Sequence, residues 1–195
     1  MEIEELDKDI YLYKNIMNPP IDILGELEII FKTYDKDFRA ASINDKEYNL
    51  DLRSCTVYSL YQDVSEIDLK EYQRAQIALN DKINALIAPA ILDFIKKTGF
   101  RIKEREPWEI LRYAETQKLT WHCDNGPSHP CTISFVIYFN DDYEGGEVEF
   151  KDKIGGQLVK PPANSILIFP SNFDYIHRVV PVTSGTKYAA ISFGE

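Results

Sequence analysis

The chain has 195 residues, 44% of them hydrophobic and 28% charged, with a formal net charge of −10. That length favours one domain whose core needs no disulfide staples, and the mix is that of an ordinary soluble globular protein. The acidic balance argues against a general nucleic-acid binder or a protein of anionic membrane surfaces, and no apolar run approaches the roughly eighteen residues that span a bilayer.

The start, Met1-Glu2-Ile3-Glu4-Glu5, lacks the basic and apolar regions of a signal peptide. Cys55, Cys123 and Cys131 are odd in number and show no paired spacing. Both features point to a reducing interior, hence a cytoplasmic setting.

Asp9 to Met17 alternates through Ile10 and Leu12 and reads as a first edge strand. Asn18-Pro19-Pro20 stops it and can start a helix, with Asn18 as cap and proline in the first turn. Ile21 to Tyr34 then carries Leu24, Leu27, Ile30 and Phe31 at helical spacing. Asp35 to Val64 has polar turns and reads as irregular, with a short strand near Cys55 to Tyr58.

Ser65 to Lys97 is the clearest helical region. Ser65 with Asp68 resembles a capping box. Ile83, Leu86, Ile87, Ala90, Ile91, Phe94 and Ile95 make an apolar stripe that reads as core packing. Gly99 suits a left-handed stop. The basic cluster Lys96, Lys97, Arg101, Lys103 and Arg105 reads as a solvated helix end, favourable at the C-terminal dipole. Pro89 should kink this helix or divide it in two.

After Gly99 the period becomes extended. Candidate strands are Phe100 to Lys103, Glu109 to Ala114, Trp121 to Cys123, Thr132 to Phe139, Glu147 to Phe150, Ile166 to Phe169, His177 to Val180 and Lys187 to Phe193, punctuated by turn residues. Helices first and then many short strands predict an α+β fold, a sandwich or jelly roll with helices on one sheet. In Thr132 to Phe139, Ile133, Phe135, Ile137 and Phe139 would face the long helix, while Ser134, Val136 and Tyr138 would line an interior pocket.

The chemistry centres on His122 and Asp124, followed downstream by His177, two of the chain's three histidines with one carboxylate. Residues two apart in a strand share a face, so His122 and Asp124 can converge on one ion. Two imidazoles and a carboxylate on one side of an octahedron suit a non-haem Fe(II) that activates oxygen. A His-x-Asp pair is a weak signal alone. Lys187, inside an otherwise apolar strand, needs either a dicarboxylate partner or a route to water for its ammonium.

Leu111-Arg112-Tyr113, His122-Cys123-Asp124, Tyr138-Phe139-Asn140-Asp141-Asp142 with Glu144-Gly145-Gly146-Glu147, Asn164 to Pro170, and His177 through Lys187 follow one another in order. From about Trp108 to Phe193 the chain thereby resembles the Fe(II)- and 2-oxoglutarate-dependent dioxygenases, prolyl 4-hydroxylase-like. The resemblance implies a double-stranded β-helix (jelly roll) core with N-terminal helices packed on the larger sheet. It implies one dioxygenase domain over 1–195, with 1–99 a mainly helical support carrying an edge strand and 100–195 the core bearing the site.

It further implies His122, Asp124 and His177 as catalytic iron ligands, Lys187 as the partner of the distal carboxylate of 2-oxoglutarate, and Tyr113 and Tyr138 as co-substrate contacts. Fe(II), 2-oxoglutarate and O2 are the implied cofactors, with ascorbate as a supporting reductant. The implied reaction hydroxylates an unactivated C–H bond of a prolyl residue in a peptide or protein, releasing succinate and CO2. A lysyl residue, a free amino acid or another small molecule is the alternative substrate. A non-catalytic ligand-binding module is the rival class, and an intact set of three ligands plus Lys187 speaks against it. A monomer or small homo-oligomer is expected.

Two departures bear on substrate choice. Phe193 stands where relatives often carry tryptophan, and Ala114-Glu115-Thr116 replaces a Pro-Gly turn. His129 reads as a loop residue near the mouth, Arg178 as a structural pairing residue, and Asp141-Asp142-Tyr143-Glu144 as a solvated acidic turn.

Overall fold

The computed structural model describes residues 1–17, 20–42, 49–61, 69–127 and 129–195. The Asn18 cap and the Ser65–Asp68 capping box lie outside the described residues. The chain opens with a hairpin of β1 (Glu2–Asp7) and β2 (Ile10–Lys14), then α1 (Ile23–Tyr34), β3 (Arg39–Ala40), β4 (Thr56–Ser59) and the long α2 (Glu71–Thr98). Next come β5 (Glu109–Tyr113), β6 (Leu119–His122), β7 (Ile133–Tyr138), β8 (Glu144–Gly145), β9 (Val148–Phe150) and β10 (Leu158–Val159). β11 (Ser165–Pro170), β12 (His177–Val179), β13 (Val182–Ser184) and β14 (Lys187–Gly194) close the chain.

Eight strands form one antiparallel sheet in the order β1-β2-β11-β7-β14-β5-β4-β3, and four form a second in the order β10-β9-β12-β6. From β5 onward the chain alternates between them, with β5, β7, β11 and β14 in the large sheet and β6, β9 and β12 in the small one. That alternation wraps the strands into the predicted jelly roll. Helix α2 and α1 cover the outer face of the large sheet. Leu79, Ile83, Ile87, Ala90 and Phe94 of α2 join Ile133, Phe135 and Ile137 of β7 and Ile166 and Ile168 of β11 in one buried cluster. Each Leu, Ile and Phe side chain among them contributes roughly 1.5–3 kcal/mol by leaving water.

Several expectations change. Ile10 to Lys14 is not an edge strand, because Glu2–Asp7 pairs outside it while β11 pairs on its other side. The charged outer strand, four of whose six residues are Glu or Asp, is the one that faces water. The described residues among the first 99 therefore supply four strands as well as two helices. The cap of α1 is Asp22, whose carboxylate accepts from Gly25 N at 2.8 Å. Pro89 neither ends nor divides α2; it lies on the exposed face, as does Ala85, so the carbonyl it deprives of a partner can bind water.

Phe100 to Lys103 forms no strand. Arg105 is drawn out of the solvated cluster: it donates to Ser192 Oγ at 2.8 Å, bonds Asn84 and lies over the Trp108 ring at 4.8 Å. It thereby ties α2 to β14. No helix among the described residues is long and apolar enough to cross a membrane.

Candidate active site

The small sheet presents the two histidines. His177 and His122 are paired residues of β12 and β6, so their side chains leave the same face with ring centroids 4.2 Å apart. Asp124 does not continue the strand, contrary to the expected same-face alternation, since β6 ends at His122. The backbone bends there and returns the carboxylate to the imidazoles. Oδ1 lies 3.1 Å from His122 Nε2 and Oδ2 3.7 Å from His177 Nε2.

Each ring is held by its other nitrogen. His122 Nδ1–H donates to the Thr120 carbonyl at 2.9 Å, and His177 Nδ1–H to the Tyr175 carbonyl at 3.0 Å. Both Nε2 lone pairs are thereby left for the shared centre, as in metal-binding histidines oriented by a second partner. Ser134, on the inward face of β7, donates to Asp124 Oδ2 at 2.5 Å and is itself 2.8 Å from Ser171 Oγ. The donor atoms of His122, Asp124 and His177 all lie within 4.8 Å of one another. Two neutral nitrogens and one carboxylate oxygen converging from one side fit a divalent metal such as Fe(II).

The protonation states of Asp124 and His177 agree with that fit, whereas His122, without a metal, leans towards its protonated form. Burial raises the Asp124 carboxyl, but His177, His122 and the Ser134 hydroxyl outweigh it and hold the group below the ordinary carboxylate range. Burial pushes His177 down to about 4, so this ring is neutral near pH 7. His122 is also buried, yet its bond to Asp124 turns the balance and raises it.

A cavity runs from this centre between the sheets. The inward residues of β5 and β14 mark depth along it: Glu109 opposite Ile191, Leu111 opposite Ala189, and Tyr113 opposite Lys187. Val136, Leu167 and Phe169 add apolar wall. Lys187 is 2% exposed, so it does not snorkel to water. Its ammonium donates to the Gly146 carbonyl at 2.6 Å and sits 5.4, 5.1 and 5.9 Å from the ring centres of Tyr113, Tyr138 and Tyr143. No carboxylate of the described residues forms an ion pair with it. Burial lowers it to about 7, with Glu147 and Cys55 acting in the opposite direction. Burial likewise raises the Tyr113 and Tyr138 phenols.

All six predicted site residues thus meet around this cavity, with His122 beside Asp124 and the other five in its wall. Two residues with a place here, Tyr143 and Arg53, escaped the sequence reading, and a third was placed without its role. Tyr143, read as part of a solvated turn, is 1% exposed and packs on Lys187. Its signal was the Gly145-Gly146 pair that follows, both at positive φ, which folds the turn inward. Ser134 was placed on the inward face without its bond to Asp124. Arg53 lines the cavity and had no signal, standing in a polar stretch without periodicity.

The remaining residues sit at the rim. His129 pairs with Glu106 at 3.4 Å and meets the Phe193 ring edge-on, with centroids 4.7 Å apart. Arg178 pairs with Glu149 at 2.6 Å and covers the half-exposed Trp121 ring.

Residues 108–194 match the family model of the 2OG-Fe(II) oxygenase superfamily. A PKHD-type hydroxylase of Parvibaculum lavamentivorans is 30% identical over 130 residues, 59% of this chain and 57% of that protein. One from Xanthomonas campestris pv. campestris is 34% identical over 133 residues, covering 60% and 58%. A third, from Pseudomonas fluorescens, is 35% identical over 88 residues, covering 40% and 38%. The chain therefore spans well under two thirds of these relatives. Among solved structures, a Trichoplax adhaerens prolyl hydroxylase in complex with a hypoxia inducible factor peptide fragment superposes with a TM-score of 0.70 at 15% identity, over 95% of this chain and 83% of that one. A Pseudomonas putida prolyl-4-hydroxylase gives 0.68 at 15% identity, over 96% and 92%. These two likenesses establish the fold.

Proposed function

We propose that this chain, whose residues 108–194 match the 2OG-Fe(II) oxygenase superfamily and whose fold is prolyl 4-hydroxylase-like, belongs to that superfamily and hydroxylates a prolyl residue in a peptide or protein. The observation that carries the reading is the pairing of a three-donor centre with a buried, carboxylate-free lysine in one cavity. Fe(II), 2-oxoglutarate and O2, when bound, supply the oxidising power for C–H hydroxylation, with succinate and CO2 as co-products.

The chain's own residues position and shield. His122, Asp124 and His177 would hold a divalent metal through two nitrogens and one oxygen. Lys187 receives the distal carboxylate, and Tyr113 and Tyr138 offer phenol O–H donors beside it. Leu111, Val136, Leu167 and Phe169 keep bulk water from the cavity wall, which strengthens these charge contacts. No side chain needs to act as a general acid or base. The prolyl assignment is supported by the likeness of the fold to two prolyl hydroxylases, and residues 1–195 act as one domain because β1 to β4 extend the same large sheet. The three free thiols suit a reducing compartment.

The test uses purified protein with Fe(II), ascorbate, O2 and 2-oxoglutarate, scored for succinate and for addition of one oxygen atom to a panel of proline-containing peptides. Succinate formation that rises with one of these peptides supports the reading. His177→Ala should abolish the conversion and Lys187→Ala should weaken it. Failure to bind Fe(II) and 2-oxoglutarate removes the oxygenase reading, while turnover without any peptide oxidation removes the prolyl one.

A further inference from the structure

A second hollow adjoins the metal centre. It is a groove of about 460 Å³ at the end of the small sheet, where β6 and β9 stop and β12 begins. Trp121, His122, Cys123, Lys151, Phe173 and Ile176 line it. Several of these flank the candidate metal ligands in the chain, with Trp121 and Cys123 on either side of His122 and Ile176 just before His177. Asp124 and His177 stand in the wall of the inner cavity and His122 in the wall of the groove, so the centre lies where the two meet.

Two large aromatic rings are left to water here, Trp121 being 42% and Phe173 74% exposed. The fold holds both in place. Arg178, paired with Glu149 at 2.6 Å, lies over the indole of Trp121 at 4.6 Å. Phe173 opens the turn Phe173–Tyr175, which Asn172 caps by accepting from Asp174 N at 2.9 Å. Tyr175 takes the buried position of that turn, and Phe173 is left at the surface.

Held aromatic faces beside an exposed ammonium suit an extended, proline-containing segment. Such segments dock in aromatic-lined grooves because their polyproline II form is already ordered. That form makes no internal hydrogen bonds, so its carbonyls remain free to accept from a donor such as the Lys151 ammonium. The inner cavity, with Lys187 in its wall, is the place of the co-substrate, which leaves the groove to the other reactant. Resting on the prolyl hydroxylase reading, we propose that this groove binds the substrate peptide beside its target residue, with a flanking proline stacked on Trp121 and Phe173.

The test measures KM and kcat for the best substrate of the proline-containing peptide panel, and for the same peptide with each flanking proline replaced in turn by alanine. Stacking of this kind predicts that Phe173→Ala raises the KM for the peptide about three- to tenfold, and the KM for 2-oxoglutarate far less. Phe173 is exposed enough that its truncation does not endanger the fold. Trp121→Ala should act in the same direction, and Trp121→Tyr, which keeps a ring, should recover part of the loss. Replacing one flanking proline should cost the wild type a similar factor and cost Phe173→Ala little more, because the same contact is already gone. Full additivity of the two losses overturns the proposal, as does an unaltered peptide KM. Equal rises in both KM values would assign the aromatic pair to support of the metal centre and overturn it too. If Phe173→Ala turns a dimer into a monomer at unaltered peptide KM, the groove is a contact between copies of the chain. Succinate formation with no peptide oxidised removes the prolyl reading, and failure to bind Fe(II) and 2-oxoglutarate removes the oxygenase reading; either outcome removes this inference with it.

Discussion

His122 and His177 are direct partners across β6 and β12, and each donates its Nδ1–H to the carbonyl two residues before it. The same local device, repeated on two strands, fixes both tautomers without help from distant side chains. Asp124 is held differently, by Ser134 from the opposite sheet at 2.5 Å. The centre is thus stapled across the cavity at one point, and that point lends itself to mutation.

Ser134→Ala should leave the fold intact and weaken metal binding. Losing an outer hydrogen-bond partner of a ligand costs about 10–100-fold in metal affinity, and here it also leaves Asp124 Oδ2 free to swing. Anaerobic titration with Fe(II), or with Mn(II) as a redox-silent probe, reads the effect. An unchanged affinity would mean the two imidazole contacts alone hold the carboxylate.

Gly146→Ala should damage the co-substrate end. Gly146 has φ +67°, and an added Cβ would stand 3.0 Å from Val182, 3.1 Å from Tyr143 and 3.3 Å from Lys187. Its carbonyl is the hydrogen-bond partner of Lys187. Strain of this kind costs of order 1–3 kcal/mol, read in a urea melt, and the displaced lysine should lower 2-oxoglutarate affinity in parallel. Loss of stability with full retention of affinity would separate the turn from the site.

Much of this architecture was legible in the chain because it follows from period and from chemically unusual residues. The two-faced strand Ile133–Tyr138, the α2 stripe and a lysine amid apolar neighbours each have a single economical burial. What escaped depends on partners far away in sequence. Asp124 reaches the imidazoles through a bend rather than a strand, Arg105 is drawn in by Ser192 and Asn84, and Arg53 lines the cavity. No local pattern encodes such meetings.

Pro89→Ala tests the one helix rule that tertiary context overrode. Proline in a helix interior costs about 3 kcal/mol relative to alanine, but at an exposed position whose freed carbonyl binds water the penalty is partly relieved. The variant should raise stability by about 1–2 kcal/mol in a denaturant titration and leave 2-oxoglutarate conversion unchanged, since α2 packs on the outer face of the large sheet, away from the cavity. A loss of stability would show that α2 packs around a proline-induced bend.

Lys187 gives the pH dependence its sign. Burial holds its ammonium at about 7, against an ordinary value of 10.5, so the folded protein releases this proton while the unfolded chain still binds it. Ligand-free protein should therefore gain stability from this group as pH rises from about 7 towards 10.5 and lose it again as pH falls. Co-substrate binding runs the other way, because a carboxylate needs the charged lysine. Above pH 7 each molecule of 2-oxoglutarate should bind with uptake of one proton, and its affinity should fall about tenfold per pH unit. Calorimetry in buffers of different ionisation enthalpy measures that proton directly. Lys187→Arg retains its charge throughout this range, so its affinity should be level between pH 7 and 9. A wild-type affinity equally level over that range would show that Lys187 stays protonated without a ligand, and that the Gly146 carbonyl and the three tyrosine rings suffice to hold its charge.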